Sequence, residues 1–165
     1  MKRFEIYLIV GLIFGVLDWY YLDGLAHFPW GSFGESFFVV PVILLMNYGI
    51  WLIPIVPVAW LESRASHQML YPVLAGVLTW CSAIFSYYAY YTFLFALGRL
   101  PNLESLTIFG ERYPGFWNDW WAVFQKIILN QFFEWIIIAV IGGGTIGVLF
   151  HLLSQVLSRR RVPDV

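Results

Sequence analysis

Residues 135–157 read WIIIAVIGGGTIGVLFHLLSQVL, an uncharged run that is long enough to cross a lipid bilayer as a single helix. The hydrocarbon core of a bilayer requires about 20 mostly apolar residues in helical form. Lipid offers the backbone no hydrogen-bond partner, so a crossing segment must pair its N–H and C=O groups internally. We therefore predict a membrane-spanning helix here, within a longer apolar stretch that covers residues 124–157.

Three other apolar stretches of sufficient length precede this one, at residues 4–22, 37–61 and 71–97. The chain is 61% hydrophobic and 12% charged, whereas soluble proteins average about 45–50% apolar and about 25% charged residues. Such a composition leaves too little polar surface to coat a water-soluble globule. We predict an all-α membrane protein, a four-transmembrane-helix bundle in which residues 1–165 form a single integral membrane domain.

The positively charged residues predict the orientation of this bundle. Several of them flank helix ends that would lie on one side of the membrane: Lys2, Arg3, Arg64, Arg159, Arg160 and Arg161. On the opposite side, the loop at residues 23–36 contains neither Lys nor Arg, and acidic residues accompany Arg99, Arg112 and Lys126. Since Lys and Arg favour the cytoplasmic side, we expect both termini inside, in the plasma (inner) membrane.

Small residues recur at helical spacing in three of the predicted spans, and in lipid such faces favour close packing of helices. The positions that we expect at helix–helix contacts are Gly11 and Gly15 in the first span, Ser82 and Ser86 in the third, and Gly143 and Gly147 in the fourth. The G-x-x-x-G pattern is common in membrane helices, so the Gly11–Gly15 pair does not by itself establish a dimer.

The second span contains prolines that disturb a helix. Pro54 and Pro57 predict a kink near its cytoplasmic end, because proline removes a helical hydrogen bond and clashes with the preceding turn. Asn47 lies about ten residues into this span, near the middle of the membrane at about 1.5 Å per residue. We expect Asn47 to form a hydrogen bond between helices rather than to bind a substrate.

The fourth span is longer than one perpendicular crossing requires, so its outer part should project above the hydrocarbon or tilt. Asn118 or Asp119 could cap the start of this helix. Between the third and fourth helices, the apolar segment at residues 103–109 predicts a short interfacial helix on the membrane surface.

Ionisable residues within membrane spans are functional candidates by default, and two carboxylates qualify here. Asp18 and Glu134 both fall in the outer third of their spans by the rise per residue. Lys126 and Asn130 precede Glu134 at intervals of four, so the three form one polar stripe. Together with Asp18 they could form an outward-facing polar vestibule for an ion, a proton or a headgroup. The interpretation that we favour is a structural ion-pair cluster, or carboxylates that simply reach the headgroup water.

His151 lies about one to two turns inside the cytoplasmic end of the fourth span, where an interface hydrogen bond is the usual role of a histidine. Haem or metal binding would need a second ligand, for which His67 and His27 are the candidates. No catalytic or phosphate-loop motif is visible, and a single cysteine, Cys81, excludes a multi-cysteine metal site. We therefore predict no catalytic residue, no metal site and no cofactor.

With a net charge of −1, the chain lacks the excess of positive charge that is typical of nucleic-acid-binding proteins. The expected partners are the lipid bilayer and other membrane subunits or further copies of the chain. We favour a non-enzymatic accessory or assembly subunit of a membrane complex, because the chain is small and carries small-residue helix faces but no sizeable soluble domain. A small oligomeric transporter or channel that uses the outer carboxylates is the alternative. A third possible function is to bind, or to act as an enzyme on, a lipophilic molecule such as a quinone, carotenoid or lipid.

Overall fold

The computed structural model describes residues 2–26, 39–66, 68–97 and 115–159, and all regular structure in these ranges is helical. The helices are α1 (Lys2–Ala26), α2 (Val39–Gly49), α3 (Leu52–Ala65), α4 (Leu70–Ala96), α5 (Phe116–Val123) and α6 (Leu129–Arg159), with a π-helical turn at Phe124–Ile128. The predicted interfacial segment at residues 103–109 lies outside the described ranges, as do His27 and His67.

Three helical stretches are long and apolar enough to cross a membrane: Lys2–Leu25, Leu70–Ala96 and Phe116–Ser158. The segments Pro41–Gly49 and Leu52–Ala65 make a fourth if they form one bent span. The chain is therefore an all-α membrane protein with three or four candidate crossings, as the sequence predicts. The arrangement as one four-helix bundle with both termini in the cytosol stays a prediction.

The second predicted span is broken near its middle rather than kinked near its end. The axes of α2 and α3 differ by 54°, and the break falls at Ile50 and Trp51. This break places Pro54 in the first turn of α3, where the missing N–H of proline costs no helical hydrogen bond. Pro57 remains inside α3. The chain thus accommodates the first of these prolines by restarting the helix just before it.

The centre of the fold is α4, which packs along α1 on one side and along α6 on the other. In addition, α3 contacts both α4 and α6. The most deeply buried apolar side chains come from α3, α4, α6 and the π-helical turn; they include Ile55, Ile84, Phe95, Ile128 and Ala139. The apolar core therefore surrounds α4, and much of the outer surface of α1 and α6 is left to face lipid.

Small residues bring α1 against α4. A methyl group at Gly11 would collide with the hydroxyl of Ser82. One at Gly15 would collide with the hydroxyl of Ser86. Both serines donate hydrogen bonds to carbonyl groups of α4 itself, at 3.0 and 3.1 Å, so their polar groups are satisfied within the helix. The helix that packs on the Gly11–Gly15 pair is therefore α4 of the same chain.

Glycines also bring α6 against another face of α4. A Cβ atom at Gly143 would lie 2.9 Å from the carbonyl oxygen of Gly76, and one at Gly147 would lie 2.5 Å from the Cα of Val73. Real Cβ atoms do not approach other atoms this closely. The two helices therefore touch backbone to backbone. At both of its main interfaces, α4 is approached closely by glycines of the neighbouring helix.

The last helical stretch begins earlier than the sequence predicts. Gly115 precedes α5 in the left-handed conformation, with φ of 103°, which glycine adopts readily. The amides of Asn118 and Asp119 donate to its carbonyl at 2.9 and 3.3 Å, so these residues lie in the first turn and not at the cap. Phe116–Ser158 comprises 43 residues, or about 65 Å at 1.5 Å per residue. This is about twice the hydrocarbon thickness, so the helix tilts or projects beyond it.

Candidate functional site

Asp18 is the most unusual polar residue of the fold. It lies on α1 where that helix packs on α4, and its side chain is 1% exposed. Gly15, one turn earlier, touches the backbone of α4, and the next residue, Trp19, packs edge-on against the ring of Tyr90. Neither carboxylate oxygen of Asp18 has a hydrogen-bond partner among the described residues.

The position of Asp18 along α1 places it within the depth of a bilayer. It is about 24 Å from Lys2 at 1.5 Å per residue, and the hydrocarbon core is about 30 Å thick. An ionised carboxylate that is buried without a partner costs several kcal/mol even after the protein relaxes around it. The described residues offer nothing that offsets this cost, which a proton or a bound cation would offset.

A cavity of about 170 Å³ lies at the break between α2 and α3. Its lining comes from α1, α2, the break, α4 and α6: Leu22, Asn47, Tyr48, Trp51, Ile84, Tyr87, Tyr88 and Trp135. We call it the aromatic cavity. Asp18 does not line it, but the lining residue Leu22 follows Asp18 by one turn of α1, and Tyr87 is within electrostatic range of the Asp18 carboxylate. The carboxylate and the cavity thus belong to one region of the structure.

Stacked rings form the wall of the aromatic cavity. The centroid of Trp135 lies 6.1 Å from that of Trp51 and 5.8 Å from that of Tyr48, with nearly parallel planes in both cases. Tyr87 meets Trp51 edge-on at 6.3 Å. Asn47 donates its amide to the carbonyl of Ile43 at 2.9 Å, a bond within α2. The cavity is therefore mostly apolar, with hydroxyl and amide groups at a few points.

The four residues of the predicted vestibule differ in their exposure. Asp18 is buried between α1 and α4, whereas Lys126, Asn130 and Glu134 are exposed on the outer surface of the last helical stretch. Lys126 belongs to the π-helical turn, so the interval of four that the sequence suggests does not describe a regular α-helix there. Within the described ranges, none of the four forms an ion pair with another. Glu134 interacts electrostatically with Tyr88 of the aromatic cavity.

A second polar cluster lies at the other end of α1, and the sequence analysis does not identify it. The hydroxyl of Tyr7 donates to Oε2 of Glu62 at 2.6 Å, and Nη1 of Arg3 lies 3.8 Å from Oε1 of the same carboxylate. Glu62 is 3% exposed. It falls four residues after the buried Val58 in α3, and this spacing is the signal that could have placed it on the inner face.

His151 is buried at the end of α6, near the end of α3. Its Nε2 lies 2.9 Å from Nε2 of Gln155, so the hydrogen bond recorded for it is within its own helix. In the described part of the chain, no three His, Cys, Asp or Glu side chains are grouped as they would be around a metal ion. Cys81 is half-buried and unpaired by any disulfide.

The sequence matches no protein-family model, and no curated protein or solved structure is detectably similar to it.

Proposed function

We propose that this membrane protein handles an ion: it binds a proton or a small cation at Asp18 and works as a small oligomeric transporter or channel. The burial of the Asp18 carboxylate, which has no hydrogen-bond partner among the described residues, is the observation that supports this most. Carboxylates at such a depth are costly, and they commonly mark ion pathways and proton relays. The sequence alone favours an accessory subunit; the surroundings of Asp18 favour transport.

The break between α2 and α3 supports the same proposal. In secondary transporters, discontinuous helices line substrate and ion sites inside the membrane. Here the bend of 54° lies at the aromatic cavity, whose lining residue Tyr87 is within electrostatic range of the Asp18 carboxylate. Backbone groups at a helix break are free of helical bonds and can therefore bind ions.

The volume of the aromatic cavity favours an ion over a larger ligand. Pockets for small organic molecules measure about 300–1,000 Å³, whereas this cavity measures about 170 Å³. A hydrated cation or a few water molecules fit, and a quinone or carotenoid ring system does not fit without rearrangement. Because so few helices leave little room for a continuous path, we expect the conducting form to contain several copies of the chain.

Flux in reconstituted vesicles tests this proposal. The purified chain is placed in liposomes that contain a pH-sensitive dye, and gradients of H⁺, Na⁺ or K⁺ are imposed. We expect protein-dependent flux of one of these ions, which Asp18→Asn reduces at least about tenfold, as expected when a buried charged ligand is lost. Glu5→Gln is the matched control, since it removes one exposed carboxylate from the same helix.

Two results would contradict the proposal. The first is the absence of flux for all three ions with the wild-type chain. The second is equal flux for the wild type and Asp18→Asn, with both proteins inserted to the same extent.

One specific observation supports the alternative function, that of an accessory subunit. Lys126, Asn130 and Glu134 are exposed on a helix whose other outward residues are mainly apolar. A second membrane protein with complementary polar groups would cover this stripe. If so, native mass spectrometry after gentle extraction should detect a partner bound to the chain. A double variant with Asn130→Leu and Glu134→Gln should no longer retain that partner. A chain that is found alone or only with its own copies would remove this function.

A further inference from the structure

A second cavity, of about 410 Å³, opens between the ends of α3 and α6. The side chains that matter for its chemistry are Trp60, Ser63, Arg64, His151, Ser154 and Gln155. Because α1 begins at this end of the fold, Lys2 and Arg3 lie there too. Of these three basic residues, Arg64 lines the cavity, whereas Lys2 and Arg3 line a separate one.

His151 contributes an unpaired donor to this cavity. The residue is 5% exposed, and its Nε2 lies 2.9 Å from the amide nitrogen of Gln155. When the amide nitrogen of Gln155 donates, the ring Nε2 accepts, and Nδ1 carries the proton. That N–H group is buried and finds no acceptor in the described residues. A buried donor without an acceptor is costly, so this position favours a ligand that accepts hydrogen bonds.

Arg64 adds a positive charge at the same cavity. Its guanidinium lies over the ring of Trp60, 4.9 Å from the centroid. The nearest carboxylate in sequence, Glu62, is engaged elsewhere: it pairs with Arg3 at 3.8 Å and accepts a hydrogen bond from Tyr7 at 2.6 Å. Over the ranges that the structure describes, Arg64 forms no ion pair. Its charge is thus available to an anion.

Serine hydroxyls complete the set of donors. Ser63, Ser154 and Ser158 line the cavity, and each donates to a carbonyl one turn earlier in its own helix, at 2.8, 2.7 and 2.8 Å. Those carbonyls lie inside helices, where they also accept a backbone amide. The hydroxyls of Ser63 and Ser158 can therefore turn to a ligand without leaving a carbonyl unpaired, whereas that of Ser154 also lies 3.4 Å from the carbonyl oxygen of Ser63.

We propose that this cavity binds a phosphate oxyanion, presented by an anionic phospholipid headgroup or by a soluble phosphate monoester. An arginine, a neutral histidine N–H and several hydroxyls are the donors that an oxyanion accepts from. Basic pockets between membrane helices bind anionic lipid headgroups in this way. The apolar groups at the cavity, Trp60 and Leu157, would contact the glycerol or the start of an acyl chain. The proposal does not depend on ion handling at Asp18.

Native mass spectrometry of the purified full-length chain in detergent tests the site. Phosphatidylglycerol, phosphatidylcholine and glycerol 3-phosphate are added separately at equal concentrations. We expect the chain to retain phosphatidylglycerol over phosphatidylcholine, and Arg64→Gln and His151→Leu each to weaken that binding by about tenfold, since each removes a donor to the charged group. Lys2→Gln is the control, because it removes one exposed positive charge from the same end and should keep most of the binding.

The outcomes separate the two sources of phosphate. Binding of glycerol 3-phosphate that both cavity variants weaken supports the oxyanion site and identifies a soluble ligand. Equal retention of the two lipids together with no binding of glycerol 3-phosphate would overturn the proposal. So would an equal loss in Lys2→Gln and Arg64→Gln, since it would show attraction to surface charge alone. Arg64 is exposed, so its variant keeps the test valid if His151→Leu does not fold.

Discussion

Gly76 of α4 and Gly143 of α6 meet backbone to backbone, so that a Cβ atom on either would lie within 2.9 Å of a backbone atom of the other. Helices that approach this closely gain van der Waals contact that larger residues would prevent. The contact lies at the centre of the fold, because α4 and α6 form one of its two largest interfaces.

We predict that Gly143→Ala destabilises the protein, whereas Gly144→Ala does not. A methyl group at Gly144 would meet its nearest neighbours at 4.0 Å, which is ordinary contact. In soluble helices, alanine is favoured over glycine by about 1 kcal/mol, so the second variant should melt at the same temperature as the wild type or higher. Thermal unfolding in detergent, followed by intrinsic tryptophan fluorescence, measures both. Equal melting temperatures for the two variants would contradict the packing described for α6.

Tyr7→Phe should destabilise the fold by about 1–3 kcal/mol, because it removes a hydrogen bond to a buried carboxylate. Tyr7 donates to Glu62 at 2.6 Å and connects α1 with α3. Tyr71→Phe is the control, since Tyr71 is exposed and its ring contact with Phe4 needs no hydroxyl. Unfolding by mixed detergent micelles gives the free-energy difference. Equal effects of the two substitutions would show that the Tyr7 hydroxyl contributes nothing.

Asp18→Asn should leave the thermal stability unchanged or raise it, in contrast to Glu62→Gln. Asp18 has no hydrogen-bond partner within the described residues, so an amide of the same shape removes the cost of a buried charge and breaks no bond. Glu62→Gln removes the charge that Arg3 and Tyr7 engage, and the variant should melt at a lower temperature. A clear loss of stability in Asp18→Asn, measured without added Na⁺ or K⁺ so that loss of a bound cation does not contribute, would mean that the carboxylate serves the fold rather than an ion.

The number of crossings has its own test, because it depends on whether α2 and α3 form one bent span. If they do, both termini lie in the cytosol, as the positively charged residues predict. Alkaline phosphatase fused after Ala26 should then be active in a bacterial host, and a fusion at the C-terminus inactive. An active C-terminal fusion would indicate three crossings.

The lengths of the apolar stretches predict the helices well, because lipid forces the backbone to pair within each segment. They do not predict which face of a helix turns inward. Asp18 and Glu134 look alike in sequence, yet the first is buried against α4 and the second is exposed. Each step along a helix rotates the side chain by about 100°, so the packing of α1 on α4 decides which residue is enclosed.

Contacts between distant parts of the chain are the features that the sequence analysis misses. Tyr7 and Glu62 are 55 positions apart, and no local pattern indicates that α1 and α3 place them together. The break at Ile50 and Trp51 is equally hard to foresee, since neither residue disfavours a helix strongly. Pro54 explains where the break falls, because a proline is best accommodated in the first turn of a helix.

The π-helical turn at Phe124–Ile128 sets the direction in which the aromatic residues of α5 point. A π turn holds one residue more than an α-helix would, so the segment before it is rotated by about 100° relative to α6. In this orientation Trp120 stacks on Phe95 of α4, with centroids 6.0 Å apart and planes 21° apart. Shortening the turn by a single residue would swing the indole away from that ring. This segment should therefore accept exchanges of side chains more readily than any change in its length.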